Sequence, residues 1–310
     1  MKKVSFVVPV YNEESNLKEF HKRMTAVMAA LTYDYEIIFV DDGSSDTSPI
    51  LLQELADQDN HVEAYLLSRN YGHQLALTCG LDHAEGDAVI TMDGDLQHPP
   101  EMVPEMLANW EKGFQIVQTI RKATEDASFF KRFTSSVYYL LINKLSRVEI
   151  TPGGSDFRLM DKQAVQAFRL YLERARFIRG MVNTLGFKVA RMEFVAPPRF
   201  AGKSKYSLHK MLHFALDGIT AFSNLPLRWA LYCGLLCGLI SLCVILHVLF
   251  EKYVMNDAVP GWATMTVSIT FLGGIQLIGI GILGEYIGRI FEEVKQRPLY
   301  IVGRHITKHT

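Results

Sequence analysis

The chain has almost no net charge, few cysteines and no glycine loop of the kind that cradles a dinucleotide or a triphosphate. Lys and Arg number 32 against 33 Asp and Glu, a formal net charge of −1. Such a balance gives no general pull toward a polyanion, and no nucleic-acid partner is expected. Only four cysteines occur, and three of them (Cys233, Cys237, Cys243) lie inside one apolar run. No Cys-x-x-Cys pair accompanies a histidine cluster, so neither a zinc site nor a disulfide framework is expected. Gly-x-Gly-x-x-Gly does not follow the first strand pattern, and no Gly-x-x-x-x-Gly-Lys-Ser/Thr loop is present. That argues against a dinucleotide oxidoreductase and a P-loop enzyme. The apolar stretch after Met1-Lys2-Lys3 is too short for a signal peptide, so the N-terminal region is expected to stay in the cytosol.

Charge is also missing from two long segments near the C-terminus. Residues 229–250 are apolar apart from Ser241 and His247, and 262–284 carry no charged side chain. About 20 apolar residues suffice to cross a hydrocarbon core as a helix, so a two-helix transmembrane hairpin is expected. A buried hairpin in a soluble core is the alternative. Between the segments Lys252 is the only basic residue. Lys203, Lys205, Lys210 and Arg228 precede the pair, and Arg289, Lys295, Arg297, Arg304 and Lys308 follow it. The positive-inside rule then places both ends on the cytosolic side. Gly273, Gly274, Gly279, Gly281 and Gly284 would let the second helix pack closely on the first, or on another subunit of a homo-oligomer. Residues 207–228 put Leu208, Met211, Leu212, Ala215, Leu216 and Ile219 on one helical stripe. That stripe suits a membrane interface or a face of the catalytic domain.

The first two-thirds alternate between strand and helix patterns. Strands are expected at 3–8, 36–40, 62–67, 88–92 and 115–120, with an amphipathic helix at 15–31 and a further helix at 130–145. Ser45 is placed to cap a helix running through Leu55. Fully apolar strands alternating with helices imply an α/β domain, its sheet mostly parallel and covered by helices on both faces. Ligands of such sheets bind at the carboxyl ends of the strands. Three of the first four strands run into a carboxylate there: Glu13, Asp41 and Asp93.

Asp93-Gly94-Asp95 closes the fourth strand. Two carboxylates two residues apart, relaxed by the glycine, can converge on one hard cation such as Mg²⁺ or Mn²⁺. The cation would neutralise a diphosphate leaving group. A solvated acidic turn is the plain alternative for this triplet alone; its strand-end position, after two other acidic strand ends, favours the cation.

Val8-Pro9-Val10-Tyr11-Asn12-Glu13-Glu14, Asp41-Asp42-Gly43-Ser44-Ser45-Asp46, Arg69-Asn70-Tyr71-Gly72 and Asp93-Gly94-Asp95-Leu96-Gln97 together resemble the motifs of family 2 inverting glycosyltransferases. With Gly153-Gly154-Ser155-Asp156-Phe157-Arg158-Leu159-Met160 and two motifs of the C-terminal segment, Phe271–Gln276 and Leu283–Arg289, the chain is similar to the polyprenyl-phosphate glycosyltransferases. These include dolichol-phosphate mannose synthases and bacterial undecaprenyl-phosphate glucosyltransferases. The resemblance implies a GT-A domain at residues 1–206, a juxtamembrane helix at 207–228, transmembrane helices within 229–284 and a cytosolic tail at 285–310. It further implies a bacterial inner-membrane enzyme. That enzyme would carry a sugar, with UDP-glucose the first choice and GDP-mannose or another UDP-sugar the alternatives, to undecaprenyl phosphate for cell-envelope glycan of the O-antigen type.

The same resemblance assigns roles. Pro9, Tyr11 and Glu13 would border the base and ribose, and Asp41 would accept a hydrogen bond from the base. Asp93, Asp95 and Gln97 would bind the metal, and Arg199 and Lys205 the diphosphate. Arg121, Lys131, Arg132 and Ser136 would hold the lipid phosphate, Arg132 and Ser136 lying on one helical face at i, i+4. Lys131 and Arg132 could instead be a solvated or membrane-facing basic patch. Asp95, Asp156 and Arg132 form the expected catalytic set. Asp156 would orient the acceptor or the sugar hydroxyls, unless it simply pairs with Arg158 or serves a backbone turn. A processive polysaccharide synthase is disfavoured because no Gln-x-x-Arg-Trp motif occurs: Arg228-Trp229 lacks the Gln. A membrane scaffold that binds nucleotide sugars without turnover is the non-enzymatic rival, disfavoured by the intact acidic triplet.

Overall fold

The computed structural model describes residues 1–121, 153–174, 176–195, 197, 225–250 and 261–308. Lys131, Arg132, Ser136, Arg199 and Lys205 lie outside the described residues, as do the helix expected at 130–145 and most of 207–228.

An eight-stranded sheet organises the N-terminal unit, in the order β7-β5-β6-β4-β1-β2-β3-β8. Its strands are β1 (Lys3–Val10), β2 (Asp34–Asp41), β3 (Val62–Leu67), β4 (Ala88–Thr91), β5 (Ile116–Arg121), β6 (Gly154–Asp161), β7 (Val189–Phe194) and β8 (Val302–Ile306). β1 pairs in parallel with β2 and β4, β2 with β3, and β5 with β7. Only β6 and β8 run the other way. This mostly parallel sheet is the one the strand–helix alternation predicts.

Helices cover both faces because the strand residues alternate sides. Phe6, Val8, Ile37 and Phe39 face α1 (Leu17–Ala29), α2 (Ser48–Gln58) and α4 (Val103–Glu111). Val7, Ile38 and Val40 face α3 (His73–His83), α5 (Lys162–Arg169) and α6 (Ile178–Thr184). On the first face Phe20 of α1 meets Phe39 edge-on, with ring centroids 5.9 Å apart. Burying side chains of this size contributes about 1.5–3 kcal/mol each.

Ser45 does not cap α2. Thr47 takes the N-cap position, and Pro49 sets the first turn. Asp46 Oδ1 accepts the Ser48 amide hydrogen at 3.0 Å, while the Ser45 amide turns to Asn12 Oδ1 at 2.8 Å.

The C-terminal unit contains α7 (Leu225–Phe250) and α8 (Trp262–Val294), which pack on one another. Among the described residues one helical stretch, Phe271–Val294, is long and apolar enough to cross a membrane, and none of it is buried. The helix of the second expected span therefore runs ten residues past Gly284, through Val294. Glu285 and Arg289 are accommodated there as an i,i+4 pair, Nε to Oε1 3.4 Å. After α8 the chain returns to the sheet as β8, antiparallel to β3. Residues 302–306, grouped by the sequence with the tail, thus belong to the N-terminal unit's sheet.

Candidate active site

The carboxyl ends of β1, β2, β3 and β4, the end of β5 and the start of β6 form one edge of the sheet. Three loops along it are tied together. Asn12 adopts φ +54°, a left-handed conformation that asparagine tolerates better than most residues. In that turn its amide donates to Ser44 Oγ at 2.9 Å, and the Glu13 amide donates to Ser48 Oγ at 3.1 Å. Glu14 Oε2 accepts from the Thr47 amide and hydroxyl, at 3.1 and 2.6 Å. One loop further, Asp42 accepts the Tyr71 and Gly72 amides at 2.6 and 2.9 Å. Gly43 sits between these loops at φ +69°; a Cβ there would lie 2.6 Å from the Arg69 carbonyl carbon. Only glycine fits both the conformation and the space.

Pro9 is buried beside Val40, whereas Tyr11 is exposed at the rim and Glu13 is half-buried. Glu13 accepts a hydrogen bond from the Asn16 side-chain amide at 2.5 Å. Asp41 is 2 % exposed. Its Oδ2 accepts the Ser44 amide at 3.2 Å, and its Oδ1 is buried with no hydrogen-bond partner among the described residues. Burial raises its carboxyl pKa above the usual range, against the pull of the Ser44 and Gly43 hydrogen bonds. An acceptor oxygen held this way at a strand end needs a donor from a ligand.

The acidic turn is held by two histidines. His98 Nδ1 accepts the Asp93 amide hydrogen at 2.9 Å, which leaves the ring proton on Nε2, 2.8 Å from Ser155 Oγ. The His98 ring stacks on Phe157, centroids 5.1 Å apart, and meets Phe194 edge-on. His98 is thus a strut between the turn after β4 and the start of β6. His73, the first residue of α3, places Nε2 2.8 Å from Asp93 Oδ1. Burial works against the charged imidazole, but the Asp93 carboxylate outweighs it and lifts the pKa to about 9. Burial likewise opposes ionisation of Asp93, yet the His73 imidazolium bonded to it holds its carboxyl below the usual carboxylate range. Asp95 is buried, and its Oδ1 accepts the Gln97 amide at 3.1 Å while Leu96 takes φ +62°.

Asp93, Asp95 and Gln97 offer only oxygen donors, which suits a hard divalent cation. Among the described residues no group of three or more His, Cys, Asp or Glu could hold a metal ion. Two carboxylates fit a cation that completes its coordination with substrate phosphates and water.

Continuing the β4–β6 register, Thr91 opposite Arg158, brings Asp93 alongside Asp156. Asp156 carries two guanidinium groups. Arg158 Nη2 donates to Oδ1 at 2.9 Å; Arg179 Nε donates to Oδ1 at 3.0 Å and Arg179 Nη2 to Oδ2 at 2.8 Å. The pairing with Arg158 that the sequence left open is therefore present, with a second arginine added. Burial opposes the charge on Asp156, but Arg179 and Arg158 hold its carboxyl far below the usual carboxylate range. Arg121, exposed at the end of β5, donates its amide to the Gly153 carbonyl at 2.9 Å beside this group.

The edge thus brings together Pro9, Tyr11, Glu13, Asp41, Asp93, Asp95, Gln97, Asp156 and Arg121. Sequence reasoning missed His73, His98, Ser155 and Arg179. His98 follows directly on the acidic motif and carried the one available signal, an imidazole three residues after Asp95.

A mostly parallel α/β sheet with carboxylates gathered on its carboxyl edge is the arrangement expected of a GT-A-like domain. Comparison with known proteins agrees. Residues 5–169 match the glycosyl transferase family 2 model, more than half of the chain. A bactoprenol glucosyl transferase derived from the SfII prophage of Shigella flexneri is 41% identical over 302 residues, 97% of this chain and 98% of that protein. An uncharacterised glycosyltransferase of Bacillus subtilis is 41% identical over 300 residues, 97% of this chain and 93% of its own length. The crystal structure of mannosyl-3-phosphoglycerate synthase from Rubrobacter xylanophilus superposes with a TM-score of 0.50 at 16% identity, covering 71% of this chain and 72% of that one. That likeness shows the GT-A-like fold. The chain belongs to glycosyl transferase family 2 and is a glycosyltransferase.

Proposed function

We propose that this protein transfers a sugar, glucose from UDP-glucose as the first choice, to a polyprenyl phosphate of the undecaprenyl class at the cytosolic face of the bacterial inner membrane. One observation carries the reading. The 41% identity to a bactoprenol glucosyl transferase spans 97% of the chain, so it takes in the catalytic sheet and the apolar α8 alike. A membrane-borne acceptor explains why a soluble-type sheet shares a chain with an apolar helix none of whose described residues is buried. In this reading residues 229–250 and 262–284 form the two spans and both termini are cytosolic. The small residues on α8 allow helix packing within a homo-oligomer. The product serves cell-envelope glycan modification of the O-antigen type.

Asp41 Oδ1 accepts the ring N–H of the nucleobase, and Pro9, Tyr11 and Glu13 border the base and ribose. Asp93, Asp95 and Gln97 hold Mg²⁺ or Mn²⁺, which when bound offsets the charge of the diphosphate. His73 holds the Asp93 carboxylate and His98 the Asp93 amide, so that the turn need not reorganise on binding. Arg121, Lys131, Arg132 and Ser136 are the residues assigned to the acceptor phosphate, and Arg199 and Lys205 those assigned to the donor diphosphate. An ionised phosphate oxygen of the acceptor attacks the anomeric carbon. The bond from that carbon to the diphosphate breaks, and the electron pair leaves with the nucleoside diphosphate, inverting the centre. The nucleophile is already an anion, so positioning and charge supply the catalysis rather than proton removal.

The test is a donor screen. Purified protein with undecaprenyl phosphate and Mg²⁺ or Mn²⁺ is given radiolabelled UDP-glucose, UDP-galactose, UDP-N-acetylglucosamine or GDP-mannose. Label moving into the butanol phase with UDP-glucose is the expected result. Transfer from GDP-mannose alone would replace the donor assignment, and no transfer from any donor would overturn the acceptor.

A further inference from the structure

Asn16 is buried, 2 % exposed, where the loop after β1 turns into α1. The local sequence predicts a plain structural job for it. It stands at the N-cap of α1, and Glu19 follows three residues on, the spacing of a capping box. In that arrangement Oδ1 would accept the Glu19 amide hydrogen and satisfy one of the open donors of the first turn.

The side chain goes elsewhere. The Asn16 backbone is already helical, φ −107° and ψ −27°, and its side chain makes no cap bond. Nδ2 donates instead to Glu13 Oε2 at 2.5 Å. The partner is a carboxylate, so the amide nitrogen must face it; turned over, two acceptor oxygens would meet. That orientation leaves Oδ1 buried with no hydrogen-bond partner among the described residues. A buried acceptor without a donor is unfavourable, and an asparagine that served only the helix would avoid it by capping. Asn16 is thus turned toward Glu13 and away from its own helix end.

The Glu13 backbone is held as well. Its amide donates to Ser48 Oγ at 3.1 Å, and its carbonyl accepts the Asn16 and Leu17 amides at 2.9 and 3.3 Å. The preceding residue, Asn12, bonds Ser44, whose amide bonds Asp41 Oδ2. This chain of bonds sets the Glu13 carboxylate at a fixed place relative to Asp41. Glu13 is half-buried, so a buried donor anchors its carboxylate while the residue stays partly open to solvent. An acceptor fixed beforehand binds a hydroxyl without losing side-chain freedom at that moment. An ionised carboxylate only accepts hydrogen bonds. Next to the base, the donors that a nucleoside diphosphate offers it are the ribose hydroxyls.

We propose that Asn16 is a positioning residue of the donor site: it aims the Glu13 carboxylate at the ribose hydroxyls, and through Glu13 the site discriminates ribonucleotides from deoxyribonucleotides. This rests on the glycosyl-transfer reading above, in which Glu13 borders the ribose.

The experiment measures binding of UDP, 2′-deoxy-UDP and 3′-deoxy-UDP by calorimetry with Mg²⁺, and of the corresponding GDP series in parallel. The full-length proteins are wild type, Asn16→Ser, Asn16→Asp, Glu13→Gln and the Asn16→Ser/Glu13→Gln double variant. Serine keeps a good N-cap residue but removes the amide donor. Aspartate keeps the shape and puts an acceptor where the donor was. Wild type is expected to prefer the ribonucleotide over at least one deoxy form about tenfold or more, the worth of a hydrogen bond to a charged acceptor. Asn16→Ser should cut that preference about threefold or more, by weakening the ribonucleotide and leaving the deoxy form where it was. Its thermal unfolding should stay close to wild type. Asn16→Asp should shift the preference in the same direction. Glu13→Gln should lose most of it, and the double variant should lose little more, because Asn16 acts through Glu13.

An unchanged preference in the Asn16 variants would overturn the proposal. So would equal losses for ribo and deoxy forms that track a fall in melting temperature, the mark of a residue that only holds the loop. If Asn16→Ser does not fold, the isosteric Asn16→Asp decides. Full ribose preference in Glu13→Gln would overturn it independently of either. A wild type that binds UDP or GDP but transfers no sugar would count against the glycosyl-transfer reading, and the binding ratios would still decide the role of Asn16. A wild type that binds neither nucleotide would overturn both.

Discussion

Asp41→Asn should separate nucleotide recognition from folding. In the wild type Oδ2 accepts the Ser44 amide at 3.2 Å, and Oδ1 is buried without a partner among the described residues. Asparagine keeps the shape but leaves only one acceptor oxygen. If that oxygen faces Ser44, the side-chain N–H groups point at the base N–H, two donors facing one another. If it faces the base, the Ser44 amide is stranded. A hydrogen bond to a charged acceptor contributes about 1.5–3 kcal/mol, so the Kd for the nucleotide should rise about 10- to 150-fold. Stability should move the other way or not at all. Burial raises the pKa of the Asp41 carboxyl in the folded state, so folding disfavours its ionised form. An acid shifted upward stabilises the fold below its unfolded pKa and loses that contribution as pH rises through the folded one. A neutral amide removes the penalty at pH 7. Calorimetry with UDP and GDP, alongside thermal unfolding, reads both effects. Nucleotide affinity within twofold of wild type would refute the assignment of Oδ1 to the base. A fall in melting temperature parallel to the loss of affinity would refute the reasoning about burial.

His98→Phe should keep the stack on Phe157 but strip partners from the Asp93 amide and Ser155, costing about 1–3 kcal/mol in denaturant unfolding. His73 gives a pH signature. Because Asp93 raises its pKa, the pair's contribution is fully present below the ordinary imidazole value of 6.5 and is lost as pH rises through about 9. Thermal unfolding of the metal-free protein should therefore decline across that window in wild type, and the decline should be shallower in His73→Gln.

The strands near the site were legible because each is a short apolar run closing on a polar motif. β3 has the expected bounds, and β1 and β2 differ only by extending one to two residues further at their ends. The carboxylates at their ends follow from that pattern, so Asp41, Asp93 and Asp95 can be read as site residues from the sequence. What escaped was long-range. β8 reads Val-Gly-Arg-His-Ile, too polar for a core strand, and it forms only because β3, from the first quarter of the chain, offers an open edge, Ala64 opposite Ile306. His98 looks like a loop residue until Phe157 and Ser155, from another strand, close around it. Arg179 carries no local mark at all; its meaning comes from Asp156, 23 residues away. The Ser45 cap failed for a local reason: Asp46 and Pro49 set the start of α2 later than the first serine suggests.

The most direct test of the account sets wild type against Asp95→Ala in the same membranes, with radiolabelled UDP-glucose, undecaprenyl phosphate and Mg²⁺ or Mn²⁺. Label should enter the butanol-extractable lipid with wild type and fall to background with Asp95→Ala, while the variant inserts into the membrane at the wild-type level. Wild-type-like transfer by Asp95→Ala would contradict the claim that the acidic turn is the catalytic centre.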